Sequence, residues 1–217
     1  LRQKTTVVYD AVAIPAEERL DARNSSHKLV VGMAGRCVPA KGHDLLMRAS
    51  LALLKRHDFS VEIWGWSEEG APGEFARILR SEVRESGRSD AFHFEGYRLD
   101  MENFYQRVDI VVVPSRVKEG FGLMAAEGLA WRKSVAAASH GGLVEIVEDG
   151  RTGLHFAPGD AESLRSALER LLTDGELRSR LAGAGRAAAV ARFSPAVHAD
   201  NVERVYDLLL SRERARA

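Results

Sequence analysis

The chain has 217 residues, 45% hydrophobic and 29% charged, with 31 basic against 31 acidic side chains. That is enough chain for one sizeable core. A net charge of zero supplies no global field for nucleic acid, although a local basic site stays open. The single cysteine, Cys37, excludes an intrachain disulfide and suits a reducing, cytoplasmic setting. No run of about 18 apolar residues is present to span a membrane, and no signal-peptide core opens the sequence. The first residues lack an initiating Met and run almost directly into a strand-like stretch, which reads as a piece of a longer protein.

In chain order, Val7 to Val12 is a strand candidate, and the polar Pro15 to Lys28 reads as a connector. Leu29 to Ala34 is an apolar strand ended by Gly35. Asp44 to Arg56 puts Leu45, Ala49 and Leu53 on one helical face. A strand at Val61 to Trp64, a charged helix at Gly73 to Ser86, a strand at Ala91 to Glu95 and a short helix at Met101 to Arg107 follow. Asp109 to Val113 is a Val-rich strand ended by Pro114. Then come a helix from about Phe121 to Trp131, a strand at Ser134 to Ala138 and a short helix at Leu143 to Glu148. Three helices close the chain. Asp160 caps the first, which carries Leu164, Leu168, Leu171 and Leu172 on a stripe. The second runs from about Glu176 to Ala191, and the third starts at Ser194-Pro195. Alternating strands and helices predict an α/β fold, a parallel sheet with helices on both faces. Such sheets bind ligands beyond the carboxyl ends of their strands.

Four loops fall at those ends. Gly35-Arg36 precedes Lys41-Gly42 by five residues; the two cations fit a diphosphate clamp, or equally a solvated surface. After Pro114-Ser115 comes Glu119-Gly-Phe-Gly-Leu, with Glu127 eight residues beyond Glu119. Gly120 and Gly122 allow close backbone approach, and the amides near Gly122 and Leu123 open a helix and can donate to phosphate. His140-Gly141-Gly142, with Glu145 close by, reads first as a turn. Trp66, in Gly65-Trp66-Ser67-Glu68, and Tyr97, in Gly96-Tyr97-Arg98, fit stacking on a base as well as ordinary packing. The stretch GAGRAA from Gly183 follows no strand, so it is not a dinucleotide fingerprint. Neither a phosphate-loop signature, a metal-ligand spacing nor a G-x-S-x-G elbow occurs.

Together these residues resemble the C-terminal domain of the GT-B-type retaining glycosyltransferases, the large group that includes sucrose and glycogen synthases. The resemblance runs from about Val7 to Leu210 through VGMAGRCVPAKG, FHFEGY, DIVVVPSRVKEGFGLMAAEGLA and HGGLVEIVEDGRTGLHFAPGD. It implies a Rossmann-like half of a GT-B fold and a nucleoside-diphosphate sugar as donor. Arg36 and Lys41 would neutralise the departing diphosphate, and Glu119 would contact the transferred sugar. The amides of Gly122 and Leu123 would hold the distal phosphate, and Glu127 the ribose hydroxyls. Gly96 and Tyr97 would border the base, with Gly35, Ser115, Gly120 and Phe121 completing the donor-binding set. No metal and no cofactor is expected, because two cations and a helix end do that work.

Asp10-Ala11 replaces the group's usual Asn-Gly, Trp131 stands where a small residue is common, and Ser134 where Pro is common. The resemblance also implies an N-terminal domain that binds the acceptor and is not in this chain. Residues 1–217 would then form one domain, with a terminal helix at about 195–211 packing on that missing half through Val202, Val205, Tyr206 and Leu209. Peripheral membrane contact of the whole protein is compatible with it. The rivals are half of a nucleotide-sugar epimerase, a non-catalytic scaffold on the same fold, and an NAD-binding domain, the last disfavoured by the missing glycine fingerprint.

Overall fold

The computed structural model describes residues 5–20, 28–70 and 73–214. Six strands form one parallel sheet in the order β3-β2-β1-β4-β5-β6. They are β1 (Leu29–Ala34), β2 (Phe59–Trp64), β3 (Phe92–Glu95), β4 (Ile110–Val113), β5 (Ser134–Ala138) and β6 (Leu154–Phe156). β4 and β5 are buried at every position, as expected of strands covered on both faces, whose sequences run apolar without alternation. Order reverses between β1 and β4, where adjacent crossovers leave in opposite directions and open a crevice at the carboxyl ends. Asp109 ties this junction, its Oδ2 accepting from the Val30 amide at 2.8 Å. Gly32 sits mid-strand because a Cβ there would meet the Val108 side chain at 2.3 Å.

The helices are α1 (His43–Leu53), α2 (Gly73–Glu85), α3 (Met101–Arg107), α4 (Leu123–Ala130), α5 (Leu143–Ile146), α6 (Ala161–Thr173), α7 (Gly175–Phe193) and α8 (Pro195–Arg214). α1 packs against α2 and α6, and α4 against α7. Right-handed crossovers place the two groups on opposite faces of the sheet. Fully buried Leu45, Leu46 and Leu53 fill the α1 side, each worth about 1.5–3 kcal/mol of transfer from water. Asp160 caps α6, accepting from the amides of Glu162 and Ser163 at 2.9 and 3.0 Å. The buried Glu62 of β2 is offset by the Arg107 guanidinium at 2.8 Å and the Trp64 indole N–H at 2.9 Å.

Two expectations need correction. Val7 to Val12 is not a strand: no ladder forms there, and the Val12 amide instead donates to the Phe193 carbonyl at 2.8 Å. The end of the segment packs on the end of α7, with Tyr9 edge-on to Phe193 and Val12 buried, whereas Val7 is exposed. The short β6 went unread, because three residues framed by turns carry almost no periodic signal. Part of the predicted connector, residues 21–27, lies outside the described residues. The GAGRAA stretch lies inside α7, as expected of a non-fingerprint. Its Gly185 lets α7 approach α4, since a Cβ would meet Leu129 at 2.6 Å. Its Arg186 is buried and donates to the carbonyls of Ala130 and Pro15 at 2.5 and 2.6 Å.

Candidate functional site

A cavity of about 440 Å³ opens at the reversal point, between the ends of β1 and β4 and the start of α4. Lys41, Ser115, Glu119, Phe121, Gly122 and Leu123 line it, together with Asp10 and Met33. Six of the sequence-predicted positions, Asp10 and Met33 apart, are thereby brought together from two separate loops.

Two glycine contacts set the geometry. Gly42, at φ 75°, lies where a Cβ would stand 2.0 Å from the Pro114 carbonyl oxygen. The α1 loop therefore sits directly on the end of β4 and carries Lys41 to Glu119, Nζ to Oε1 2.7 Å. The Ser115 hydroxyl donates to the same oxygen. Burial raises the Glu119 pKa, but the Lys41 ammonium and the Ser115 hydroxyl outweigh it, so the net shift is downward and the group is firmly anionic. Gly142 makes the second contact. Its amide donates to the Glu119 carbonyl at 2.7 Å, and a Cβ would stand 2.4 Å from the Gly120 oxygen. His140 Nε2 lies 2.8 Å from the Ser115 carbonyl. The His140-Gly-Gly turn thus braces the Glu119 loop from behind, the structural role its sequence suggested.

Gly122, at φ 102°, precedes α4, and no side chain caps that helix. The amides of Leu123 and Met124 have no intrahelical acceptor, whereas that of Ala125 already donates to the Gly122 carbonyl at 2.9 Å; the positive end of the helix dipole lies at the cavity wall. Arg36 is exposed and makes no ion pair among the described residues; it lies on the loop after β1 and is not in the cavity lining. Gly35 belongs to the same loop, donating its amide to the Trp64 carbonyl at 3.0 Å. Gly120 is exposed on the outer side of its loop.

Glu127 lies elsewhere. It lines a second cavity of about 460 Å³ with Tyr105, Trp131, Leu99, Asp100 and Arg19, among others. The Tyr105 hydroxyl donates to Glu127 Oε2 at 2.7 Å. Burial raises the Glu127 pKa, and the tyrosine hydrogen bond opposes it without cancelling it. Neither Gly96 nor Tyr97 lines either cavity; both are exposed, and Leu99 and Asp100 of the same loop stand closer in. Trp66 is buried against Phe94, ring centroids 4.4 Å apart, so packing is its role.

His43 is a residue that sequence pattern does not single out. It is fully buried at the start of α1, next to Lys41, and neither ring nitrogen has a hydrogen-bond partner among the described residues. Burial lowers its pKa to about 4, against a weaker opposing pull from the Gly35 backbone and Asp44. A lone His after a loop carries no sequence signal of this kind; only the packing of Trp66 across its ring reveals it. Among the described residues no cluster of His, Cys, Asp or Glu is arranged to hold a metal ion, and no helix is long and apolar enough to cross a membrane.

The sequence model of the family described as glycosyl transferases group 1 matches residues 16–188. The chain is similar to a lipopolysaccharide core biosynthesis mannosyltransferase, LpcC, of Rhizobium leguminosarum bv. viciae, 33% identical over 162 residues, covering 75% of this chain and 46% of that one. In structure it is similar to Anabaena Alr3699/HepE in complex with UDP, with a TM-score of 0.85, 22% identity, and coverage of 94% of this chain and 58% of that one. It is also similar to the C-terminal domain of a glycosyl transferase group 1 family protein (LpcC) from Francisella tularensis, with a TM-score of 0.72, 27% identity, and coverage of 87% and 97%. The chain spans about half the length of the curated relative, 46%.

Proposed function

Because the chain belongs to the glycosyl transferases group 1 family, we propose that it is the donor-binding half of a retaining glycosyltransferase. It takes a nucleoside-diphosphate sugar and presents it to an acceptor held by a second domain. The observation that carries this is the Lys41–Glu119 pair at 2.7 Å, at the mouth of a cavity that also opens on the uncapped start of α4.

A diphosphate lying across the start of α4 meets Lys41 and the first helix amides, with Arg36 on the loop after β1. Charge grows on the diphosphate as the sugar leaves, and groups already aimed at it stabilise that charge without reorganising. Glu119 holds the ammonium in place and turns its second oxygen toward the sugar. One turn further along α4, Glu127 has one oxygen on Tyr105 and its other free for ribose hydroxyls. The nucleoside then enters the second cavity, past Leu99 and Asp100. The Anabaena neighbour is a complex with UDP, which agrees with this class of donor. No metal is needed in this scheme, and retention of anomeric configuration rests on the group resemblance.

Calorimetric titration with UDP, GDP, ADP and their sugars tests the reading. At least one binds at millimolar concentration or better, and Lys41→Ala weakens it by about 1–3 kcal/mol, the scale of a charge-assisted contact. Absence of binding by all of them sinks the proposal. For the full-length protein, NMR of the product anomer decides retention.

A further inference from the structure

A second charged site lies at the opposite end of the sheet, where β2 and β3 begin. A cavity of about 580 Å³ there is lined by Arg48, Lys55, Arg88 and Ser86, over a floor of Leu51 and Ala52. A neighbouring cavity of about 300 Å³ shares Lys55 and Arg88 and adds Arg56. Arg48, Lys55, Arg56 and Arg88 are exposed, and none makes an ion pair among the described residues. Lys28, beside them, is already neutralised by Asp58 at 2.6 Å.

Cations gather at helix C-termini for a simple reason, and α1 and α2 both end here. That reason is too small for this group. Each helix end is worth about −0.5 of a charge, and Asp90 on the rim adds one more negative charge. Arg56 also borders a third cavity with Glu162 and Glu169, which offset it; Arg48, Lys55 and Arg88 leave a surplus of about one positive charge. The chain as a whole is neutral, so the surplus is a local concentration and not a property of the composition. A phosphate monoester carries about −1.5 to −2 at neutral pH. It is opposite in sign to the surplus, and Arg presents the planar fork that phosphate oxygens accept.

We propose that Arg48, Lys55 and Arg88 form a binding site for a phosphate-bearing ligand, separate from the donor cavity and at the other end of the sheet. The cavity has more room than a bare phosphate needs, and its apolar floor accommodates an organic body. A soluble phosphoester and a phospholipid headgroup share this chemistry. The site does not depend on the donor reading, because no residue is shared between the two.

The test is amide NMR of the chain titrated with inorganic phosphate at constant ionic strength. Saturable shifts are expected at Lys55, Gly87 and Arg88. The triple variant Arg48→Gln, Lys55→Gln, Arg88→Gln weakens them at least tenfold, whereas Lys41→Ala leaves them unchanged. A control triple, Arg151→Gln, Arg170→Gln, Arg204→Gln, removes the same charge from other exposed positions and also leaves them unchanged. Thermal melting of each variant checks folding. Co-sedimentation with phosphatidylglycerol vesicles, against phosphatidylcholine vesicles, separates the sources. Binding that needs the three cations and is competed by phosphate assigns a headgroup; phosphate shifts without vesicle binding assign a soluble phosphoester. Shifts confined to Lys41 and residues 119–123, equal loss in the control triple, or no response to either probe overturns the proposal.

Discussion

Glu119 and Glu127 stand eight residues apart in one motif, yet the fold treats them in opposite ways. Glu119 lies on a loop at the end of β4, within reach of the Lys41 ammonium and the Ser115 hydroxyl, and its pKa is lowered. Glu127 lies on the second turn of α4, with the Tyr105 hydroxyl and no cation as its hydrogen-bond partner, and its pKa is raised. Burial pushes both upward; the difference is whether a cation answers it. The first glutamate is therefore a fixed anion that orients a lysine. The second is a half-buried carboxylate that accepts from the Tyr105 hydroxyl.

The comparison breaks most completely at Gly42. In Gly42→Ala the new Cβ meets the Pro114 carbonyl at a left-handed φ, which costs about 3 kcal/mol or more between strain and overpacking. Urea unfolding measures this, and Lys41 should lose its register with Glu119 in the surviving fold.

His43 supplies the acid background against which the carboxylates titrate. Its folded pKa, about 4, lies below the ordinary 6.5, so the stability is present above 6.5 and lost as pH falls toward 4. The loss is about 3 kcal/mol at roughly 1.4 kcal/mol per unit. His43→Leu should flatten the unfolding free energy over that window; an unchanged slope would show that the ring is solvated.

Lys41→Met sharpens the Glu119 side. A carboxylate whose folded pKa is lowered contributes stability above its unfolded value, 4.5, and that stability is lost as pH falls through the folded value. Without the ammonium, the Glu119 titration should move upward by carbon-detected NMR. About 1 kcal/mol of stability at pH 7 should go, since the pair is partly solvated.

Tyr105→Phe should move the Glu127 titration upward and cost about 1 kcal/mol, one hydrogen bond to a half-buried carboxylate. The smallest effect is in Glu127→Gln. A raised folded pKa means the native state loses stability as pH rises from 4.5 through the folded value, so the neutral variant should gain a few tenths of a kcal/mol at pH 7 by thermal melting. Loss of stability there would mean that the carboxylate is held by a cation after all.

Much of this was legible in the sequence, for identifiable reasons. The apolar runs of β1, β4 and β5 are long enough to betray doubly covered strands, and Asp160 announced its helix. The loops bearing Lys41 and Glu119 could be placed at strand ends because Gly35 and Pro114 stop those strands. Val7 to Val12 misled because β-like composition does not itself make a ladder; here only Val12 is buried, and its amide bonds a helix end.

By itself the sequence determined the parallel α/β fold, the residue types at the strand ends and the likeness to the family, since each rests on local pattern and residue type. Only the tertiary structure decided that Lys41 meets Glu119, that Glu127 faces a separate cavity with Tyr105, and that Arg48, Lys55 and Arg88 surround one space. Those facts depend on where two glycines let separate loops touch and on which helix ends the crossovers bring together, and spacing along the chain does not record either.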